Sequence, residues 1–403
     1  MLFSCIIIVE GLIRKELSIV FIAIDDVKKM LKEFQIANFK SIKDNIFFSM
    51  EADDRITEHM DHLVELNNNQ LLKIGAIYGP NGGGKSNILK AIELPKFLLE
   101  DVYYDYPINL SNIFNDDKAI KGTYFFVNES FEIGYSFEVI SKLDLVKEKG
   151  FKLSFTFLSE KMSYRQNGTQ TFQMLFQTSK AASKSMLFQY ADCEVVKNYF
   201  LELAKITDLE QATAYNEHYQ EIILENKTRL LKAFDALDLK IADIIIHSDA
   251  YFPIFLTRNQ HGQSRELSLL EESKGTQKMF WILINVLSSL QKDKIFYSDD
   301  MNAYLHPQLF KLIVDLYASN QNKRTQLIFN SHEFYNMDSA FLRRDEIWFA
   351  YRDNEYVTRL NSLANINNYK GEIVSNKLKY SKEYLNGKFG AMPYLKKESK
   401  WYE

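Results

Sequence analysis

The sequence predicts an α/β fold: a mostly parallel core sheet, an antiparallel β subdomain and a helical insertion. Three observations predict it. The buried-type strand "LLKIGAIY", residues 71–78, runs into a glycine-rich loop that opens a helix. Residues after Ile241 alternate apolar strands with helical patterns, the order that builds a parallel sheet with its ligand at the strand carboxyl ends. Residues 131–139 and 151–157 alternate apolar and polar side chains one by one, as an antiparallel sheet with one wet face does.

Taken in order, "EFQIANFKSIKDNIFFSM", residues 33–50, reads as two short strands turning near Lys43-Asp44-Asn45. Lys85 to about Glu100 reads as a helix bent near Pro95. Phe131, Ile133, Tyr135, Phe137 and Val139 share one strand face, and Phe151, Leu153, Phe155 and Phe157 share another. Asn167-Gly168 is a hairpin turn between alternating flanks. Residues 181–240 contain neither glycine nor proline and read as several helices. Beyond them, "ADIIIHSD" is a strand, and "KMFWILINVLSSL" is a buried helix too short to span a bilayer. "KIFYSDD" is a strand ending in acids, "LFKLIVDLY" an amphipathic helix and "RTQLIFNSH" a strand ending in histidine. "RDEIWFAY" and "EYVTRL" form a closing strand pair. The divisions are 1–29, an extension or a mis-called start with Met30 as the true one; 30–100, the core lobe with the glycine loop; 101–180, the antiparallel β subdomain; 181–240, the helical insertion; and 241–403, the rest of the core with the tail.

Composition narrows the function classes. A hydrophobic content of 46% with 25% charged residues is that of a globular protein, and a net charge of -4 argues against a generally basic nucleic-acid coat. Two cysteines, Cys5 and Cys193, imply no disulfide framework and fit a reducing, cytoplasmic location. The apolar N-terminus is broken by Glu10, Arg14, Lys15 and Glu16, so no membrane span is expected.

The chemistry concentrates in four segments. Gly79-Pro80-Asn81-Gly82-Gly83-Gly84-Lys85-Ser86, followed by Asn87, matches G-x-x-x-x-G-K-[ST] in full. Glycines let backbone N–H groups converge on phosphate oxygens, and the helix start adds its dipole. Lys85 is expected to reach the β- and γ-phosphates of ATP, and the Ser86 hydroxyl to bind Mg²⁺. Asp299 follows an apolar strand and is a candidate Mg²⁺ ligand; Asp300 comes next in line. His332 ends a buried-type strand whose tip would face the γ-phosphate. Ser273-Lys274-Gly275-Thr276 precedes the apolar helix and reads either as an anion site or as a plain N-capping turn.

These four motifs in this order resemble the ABC-type P-loop ATPases of the SMC/RecF/OLD branch, and "FQIANFKSIKD" resembles that branch's first strand pair. The nearer resemblance is to the small AAA-family ATPases of abortive-infection operons, the AbiL/RloA-like group. It is carried by "ESKGTQKM", "SDDMNAYLHP", "QLIFNSH", "LRRDEIWF" and "YLNGKFGAMPYL", over roughly residues 31–100 and 241–395. The resemblance implies an ABC-type head, two of which sandwich two ATP molecules in a homodimer. Ser273 and Gly275 of one protomer would touch the γ-phosphate held by Lys85 of the other; Asp300 would orient the attacking water, and His332 would be the switch histidine.

The chain also departs from that pattern. Asp300 stands where the family has Glu, one methylene longer, so slow hydrolysis or ATP-locked dimers are expected. Asn302 stands where Asp is common, and Asn330-Ser331 replaces Thr-Thr. Only 71 residues follow His332, too few for an appended nuclease domain, so an effector activity is expected from a separate partner, a nuclease among the choices. The tail from Lys370 carries eight lysines and four glutamates interleaved with aromatics, which keeps nucleic acid open as a partner beside the reading of a solvated basic face. The function expected is an ATP-hydrolysing switch that dimerises on ATP and gates a partner effector in anti-phage defence. The alternatives are a RecF-like DNA-repair ATPase and a slow or non-hydrolysing ATP-bound scaffold.

Overall fold

A computed structural model of the chain describes residues 30–66, 69–99, 102–104, 106–115, 117–147, 149–188, 204–206, 217–247, 253–292, 295–301, 305–319, 324–367, 371 and 373–391. A six-stranded sheet organises the molecule, in the order Ala204–Ile206, Ile295–Ser298, Gln326–Ser331, Ile74–Tyr78, Ile347–Arg352 and Thr358–Ser362. Neighbours are parallel up to Ile347–Arg352, and Thr358–Ser362 closes the edge antiparallel. Four of these strands are apolar runs because both faces are covered. Ile77, Tyr297, Ile328 and Trp348 point into one core, against the helix Lys85–Leu99. Ala76, Tyr78, Phe296, Phe329 and Phe349 point into the other, against the helices Lys274–Lys292 and Pro307–Ala318.

The sheets taken together are mixed: the six-stranded sheet is parallel but for its closing strand, and the other sheets are antiparallel. A seven-stranded sheet, antiparallel throughout, joins Met30–Ala37 and Ile46–Ser49 to Ile120–Val127, Phe131–Val146, Gly150–Gln166, Gln173–Thr178 and Val102–Tyr104. Its odd-numbered residues Ile133, Tyr135, Phe137 and Val139 are buried, as the alternation requires. The N-terminal strand pair is thus hydrogen-bonded into the same sheet as residues 120–178. Gln326 ties the two sheets: its carboxamide accepts from Leu31 N at 2.8 Å and donates to Leu31 O at 2.9 Å and Leu72 O at 3.1 Å.

Three local expectations change. "LLKIGAIY" is two strands, Asn69–Leu72 and Ile74–Tyr78, broken at Lys73, whose buried ammonium donates to Asp61 O and Ala318 O. Asn167-Gly168 opens a wider loop, since Gln166 ends one strand and Gln173 starts the next; Gly168 has φ 84° while Asn167 is not left-handed, so the two-residue turn does not form. A three-stranded meander, Asp243–Ile246, Ile254–Gln260 and Gln263–Ser268, was readable only in part. Its His261-Gly262 turn has both φ angles positive, 50° and 74°, the conformation that a two-residue hairpin needs. Of the helical insertion, Glu217–Ala236 is helical and Ala204–Ile206 is an edge strand of the six-stranded sheet. The N-terminal extension, Asn302, Cys193 and the end of the basic tail, residues 392–403, lie outside the described residues. No helix among the described residues is long and apolar enough to cross a membrane.

The segment "LRRDEIWF" has a structural role here. Arg343 is fully buried and forks onto Asp345 at 2.9 and 2.8 Å while donating to Glu58 O and Ile56 O. Arg344 pairs in the same way with Glu58 at 2.6 and 3.0 Å. Together they bind the connection before Leu63 to the turn before Ile347. Removing one partner of a buried pair costs about 3–5 kcal/mol because the other is left uncompensated. Arg343→Ala should therefore lower the unfolding free energy in urea by that amount, and Arg343→Lys, which lacks the fork, should recover only part. A loss no larger than the about 0.5 kcal/mol of an ordinary surface change would contradict this.

Candidate functional site

Three adjacent strands end at one place. Tyr78 leads into the glycine loop, Ser298 into Asp299-Asp300, and Ser331 into His332. Their tips open on a cleft of about 610 Å³ lined by residues 81–87, Asp300, His332 and Arg352.

The loop shape is imposed from outside as well as from within. Gly79 and Gly84 have φ of 151° and 101°. A Cβ on Gly79 would strike the Ala350 carbonyl, and one on Gly84 the Thr358 side chain, so the loop is seated directly on the closing strand pair. Asn87 Nδ2 donates to Ser41 Oγ at 2.6 Å, and Thr358 Oγ1 donates to the same oxygen at 2.7 Å. Ser41 of "NFKS" thereby links the first strand pair, the phosphate-loop helix and the closing pair. Among the described residues, the backbone N–H groups of Gly82, Gly84, Lys85 and Ser86 donate to no protein acceptor, as at a helix N-terminus built to hold an anion.

Ser86 Oγ donates to Asp299 Oδ1 at 2.9 Å. Two oxygens at right angles on a magnesium ion with bonds of 2.0–2.1 Å stand about 2.9 Å apart. Hydroxyl and carboxylate are hard oxygen donors, so this pair fits Mg²⁺ in chemistry and in spacing. Asn330 holds the arrangement: its amide donates to Asp299 Oδ1 at 2.5 Å and accepts from Asp300 N at 2.7 Å. Asp300 sits at φ 46°, left-handed for a non-glycine residue. Asn330 on its N–H and Lys278 on its carbonyl over-determine that conformation.

Lys85 is almost fully buried and donates to Gly79 O at 2.8 Å and Pro80 O at 3.0 Å. Its Nζ also lies 2.8 Å from His332 Nδ1, and His332 Nε2 lies 3.2 Å from Asp300 Oδ1. With an ammonium facing Nδ1, that nitrogen accepts and the ring proton sits on Nε2, toward Asp300. Burial pushes Lys85 down to about 8, against the opposing pull of Asp300 and Asp299. Burial, then the Lys85 ammonium, pushes His332 below the usual imidazole range. Burial raises the Asp300 carboxyl, with the nearby His332 opposing it.

The structure therefore brings residues 79–87, Asp299, Asp300 and His332 together. Ser273 and Gly275 do not line this cleft. Ser273 caps the helix Lys274–Lys292, its hydroxyl accepting from Thr276 N at 3.2 Å. Sequence reasoning missed Ser41, Thr358 and Arg352, and treated Asn330 only as a departure. "NFKS" was the signal for Ser41; Arg352 and Thr358 carry none, because only the strand pairing brings them to the loop.

A family model described as "AAA domain, putative AbiEii toxin, Type IV TA system" matches residues 194–338. That stretch contains Ser273, Asp299, Asp300 and His332 but not the glycine loop. That stretch is thus similar to an AAA domain. No curated protein matches the chain in sequence. Among solved structures it is similar to the SMC head domain from Thermotoga maritima, with 16% identity over 82% of this chain and 98% of that one and a TM-score of 0.39. It is also similar to an SmcHead bound to the C-winged helix domain of ScpA, with 12% identity over 83% and 97% and a TM-score of 0.41. A third likeness is the Smc head domain with an extended coiled coil bound to the C-terminal domain of ScpA, derived from Pyrococcus furiosus, with 12% identity over 83% and 96% and a TM-score of 0.40.

An ammonium held down to about 8 sets a pH signature. Below that value Lys85 is charged before a triphosphate arrives; above it, binding the anion must first draw a proton. ATP affinity should be flat up to about pH 8 and fall beyond it, with net proton uptake above that value in calorimetry run in two buffers. Lys85→Arg should show no uptake, since guanidinium stays charged. Uptake that is absent in the wild type, or unchanged in Lys85→Arg, would contradict the assignment.

Proposed function

We propose that this chain is an ATP-binding and ATP-hydrolysing switch of the ABC/SMC-like kind that dimerises on ATP and gates a separate effector in anti-phage defence. The single observation that carries the ATPase reading is the Ser86 Oγ to Asp299 Oδ1 approach of 2.9 Å beside the glycine loop. The match over residues 194–338 to a domain described with a toxin of a type IV TA system supports the defence context.

In this reading Lys85 and the loop N–H groups hold the β- and γ-phosphates, while Ser86 and Asp299 hold Mg²⁺. When bound, ATP and its metal supply the transferable phosphoryl group and neutralise the charge that develops on it. Asp300 Oδ1 positions the attacking water and accepts its proton, and His332 keeps its own proton on Nε2, directed at Asp300. Arg352 adds a cation at the cleft rim. Ser273, exposed, and Gly275, half-buried, stand at a helix start outside this cleft's lining and complete the site of a second protomer.

A specific observation favours a second reading, a slow or non-hydrolysing ATP-bound scaffold. Asp300 has the shorter carboxylate side chain, and its Oδ1 is already engaged by His332 at 3.2 Å. A carboxylate misplaced by about 1 Å can cost on the order of a hundredfold in rate.

Turnover separates the readings. Wild type should hydrolyse ATP faster than Lys85→Ala, and Asp300→Asn should fall by about a hundredfold or more while still binding ATP and forming ATP-dependent dimers in size measurements. Wild-type turnover at the level of Lys85→Ala, with Asp300→Glu raising it, would replace the hydrolase by the scaffold. An unchanged monomer in ATP, including for Asp300→Asn, would overturn the dimer.

A further inference from the structure

We infer that His59, Asp61 and His62 form a binding site for a divalent transition metal of the zinc class, separate from the nucleotide cleft. Each contributes a ligand atom, and these atoms all lie within 4.8 Å of one another. They come from a single turn, "HMDH", where the 3₁₀ segment Met60–His62 follows His59 at φ 48° and ψ 54°. Ligands sharing one tetrahedral zinc stand about 3.3 Å apart, so a small rotamer change, which the exposed Asp61 can make, closes the set.

The support around the two rings is the second and independent observation. His59 Nε2 lies 2.8 Å from the Ser339 carbonyl, and His62 Nδ1 lies 2.8 Å from Glu346 Oε1. A carbonyl on one imidazole and a buried carboxylate on the other is how metal-binding histidines are oriented. With those nitrogens engaged, His59 Nδ1 and His62 Nε2 remain, and among the described residues neither has a hydrogen-bond partner. His62 is 3% exposed and is held on its Nδ1 side by Glu346. The Asp61 carboxylate likewise makes no hydrogen bond to a described residue; only its backbone carbonyl is used, by Lys73 Nζ at 2.7 Å.

Charge and chemistry select the ion. Lys73 and Arg343 are the cations facing the cluster, and Arg343 is already paired with Asp345. Asp61 and Glu346 remain to offset a divalent ion. Two imidazoles and one carboxylate suit zinc and its neighbours, not magnesium or calcium, and three protein ligands leave a fourth position for water. The site lies near Lys73, just before the Ile74–Tyr78 strand, whereas the cleft lies beyond the strand's other end. Metal held there would pin the turn before Leu63 to the segment that carries Ser339 and Glu346, independently of ATP.

The test uses the full chain, stripped by chelator and dialysed, then titrated with zinc while excess Mg²⁺ occupies the phosphate loop. One equivalent of zinc should bind and raise the melting temperature, and cobalt in its place should show tetrahedral visible absorption. His59→Ala and Asp61→Asn should each weaken zinc at least tenfold and abolish the melting shift, with ATP binding unchanged. Asp61→Asn, which removes no hydrogen bond of the fold, keeps the test open should His59→Ala fail to fold. No stoichiometric zinc in the wild type, or wild-type affinity in Asp61→Asn or in a folded His59→Ala, would overturn the site.

Discussion

A hydroxyl and a carboxylate that are 213 positions apart in the chain meet at 2.9 Å, and the remainder of the molecule is arranged so that they can. Ser86 is the second residue of a helix and Asp299 is the first residue past a strand. A spacing of 2.9 Å, right for two oxygens on one small hard cation, requires both elements to be rigid and their relative position fixed. The antiparallel sheet, the helices behind the core sheet and the closing strand pair all bear on that requirement.

The fixing is done by specific contacts. Asn330, on the strand between the two, spans the gap, donating to one aspartate's carboxylate and accepting from the next residue's backbone. The loop cannot drift from the closing pair because Ala350 and Thr358 occupy the space in which side chains on Gly79 and Gly84 would lie. Ser41 and Gln326 anchor the antiparallel sheet to the glycine-loop end and to the base of the core sheet, respectively. At that base, Arg343, Arg344 and Glu346 hold the connection that carries His59 and His62. The two ends of the Ile74–Tyr78 strand therefore differ: polar clamping at one and the glycine loop at the other.

Much of this was legible in the sequence where the signal was local. The glycine loop, the paired aspartates and the strand-end histidine each depend on short-range pattern, and the apolar runs gave the core strands directly. The break at Lys73 was not legible, because a lysine inside an apolar run becomes a strand boundary only when distant carbonyls, here Asp61 and Ala318, receive its ammonium. The antiparallel pairing of Met30–Ala37 with Ile120–Val127 is likewise a long-range choice, invisible to periodicity. Asn330 looked like a loss relative to the family pattern, yet its two-ended amide organises both aspartates, a role that appears only once the neighbouring strand is known. His261-Gly262 was a readable turn signal that the α/β pattern around it concealed.

If Ser86 and Asp299 act on one metal, a double-mutant cycle on the pair will show them coupled. Mg²⁺-dependent ATP affinity would be measured for wild type, Ser86→Ala, Asp299→Asn and the double variant. Two ligands of one ion should be coupled by about 1 kcal/mol or more, so that the double variant loses clearly less than the sum of the singles. Losses that add to within about 0.5 kcal/mol, or that persist unchanged without Mg²⁺, would contradict the account.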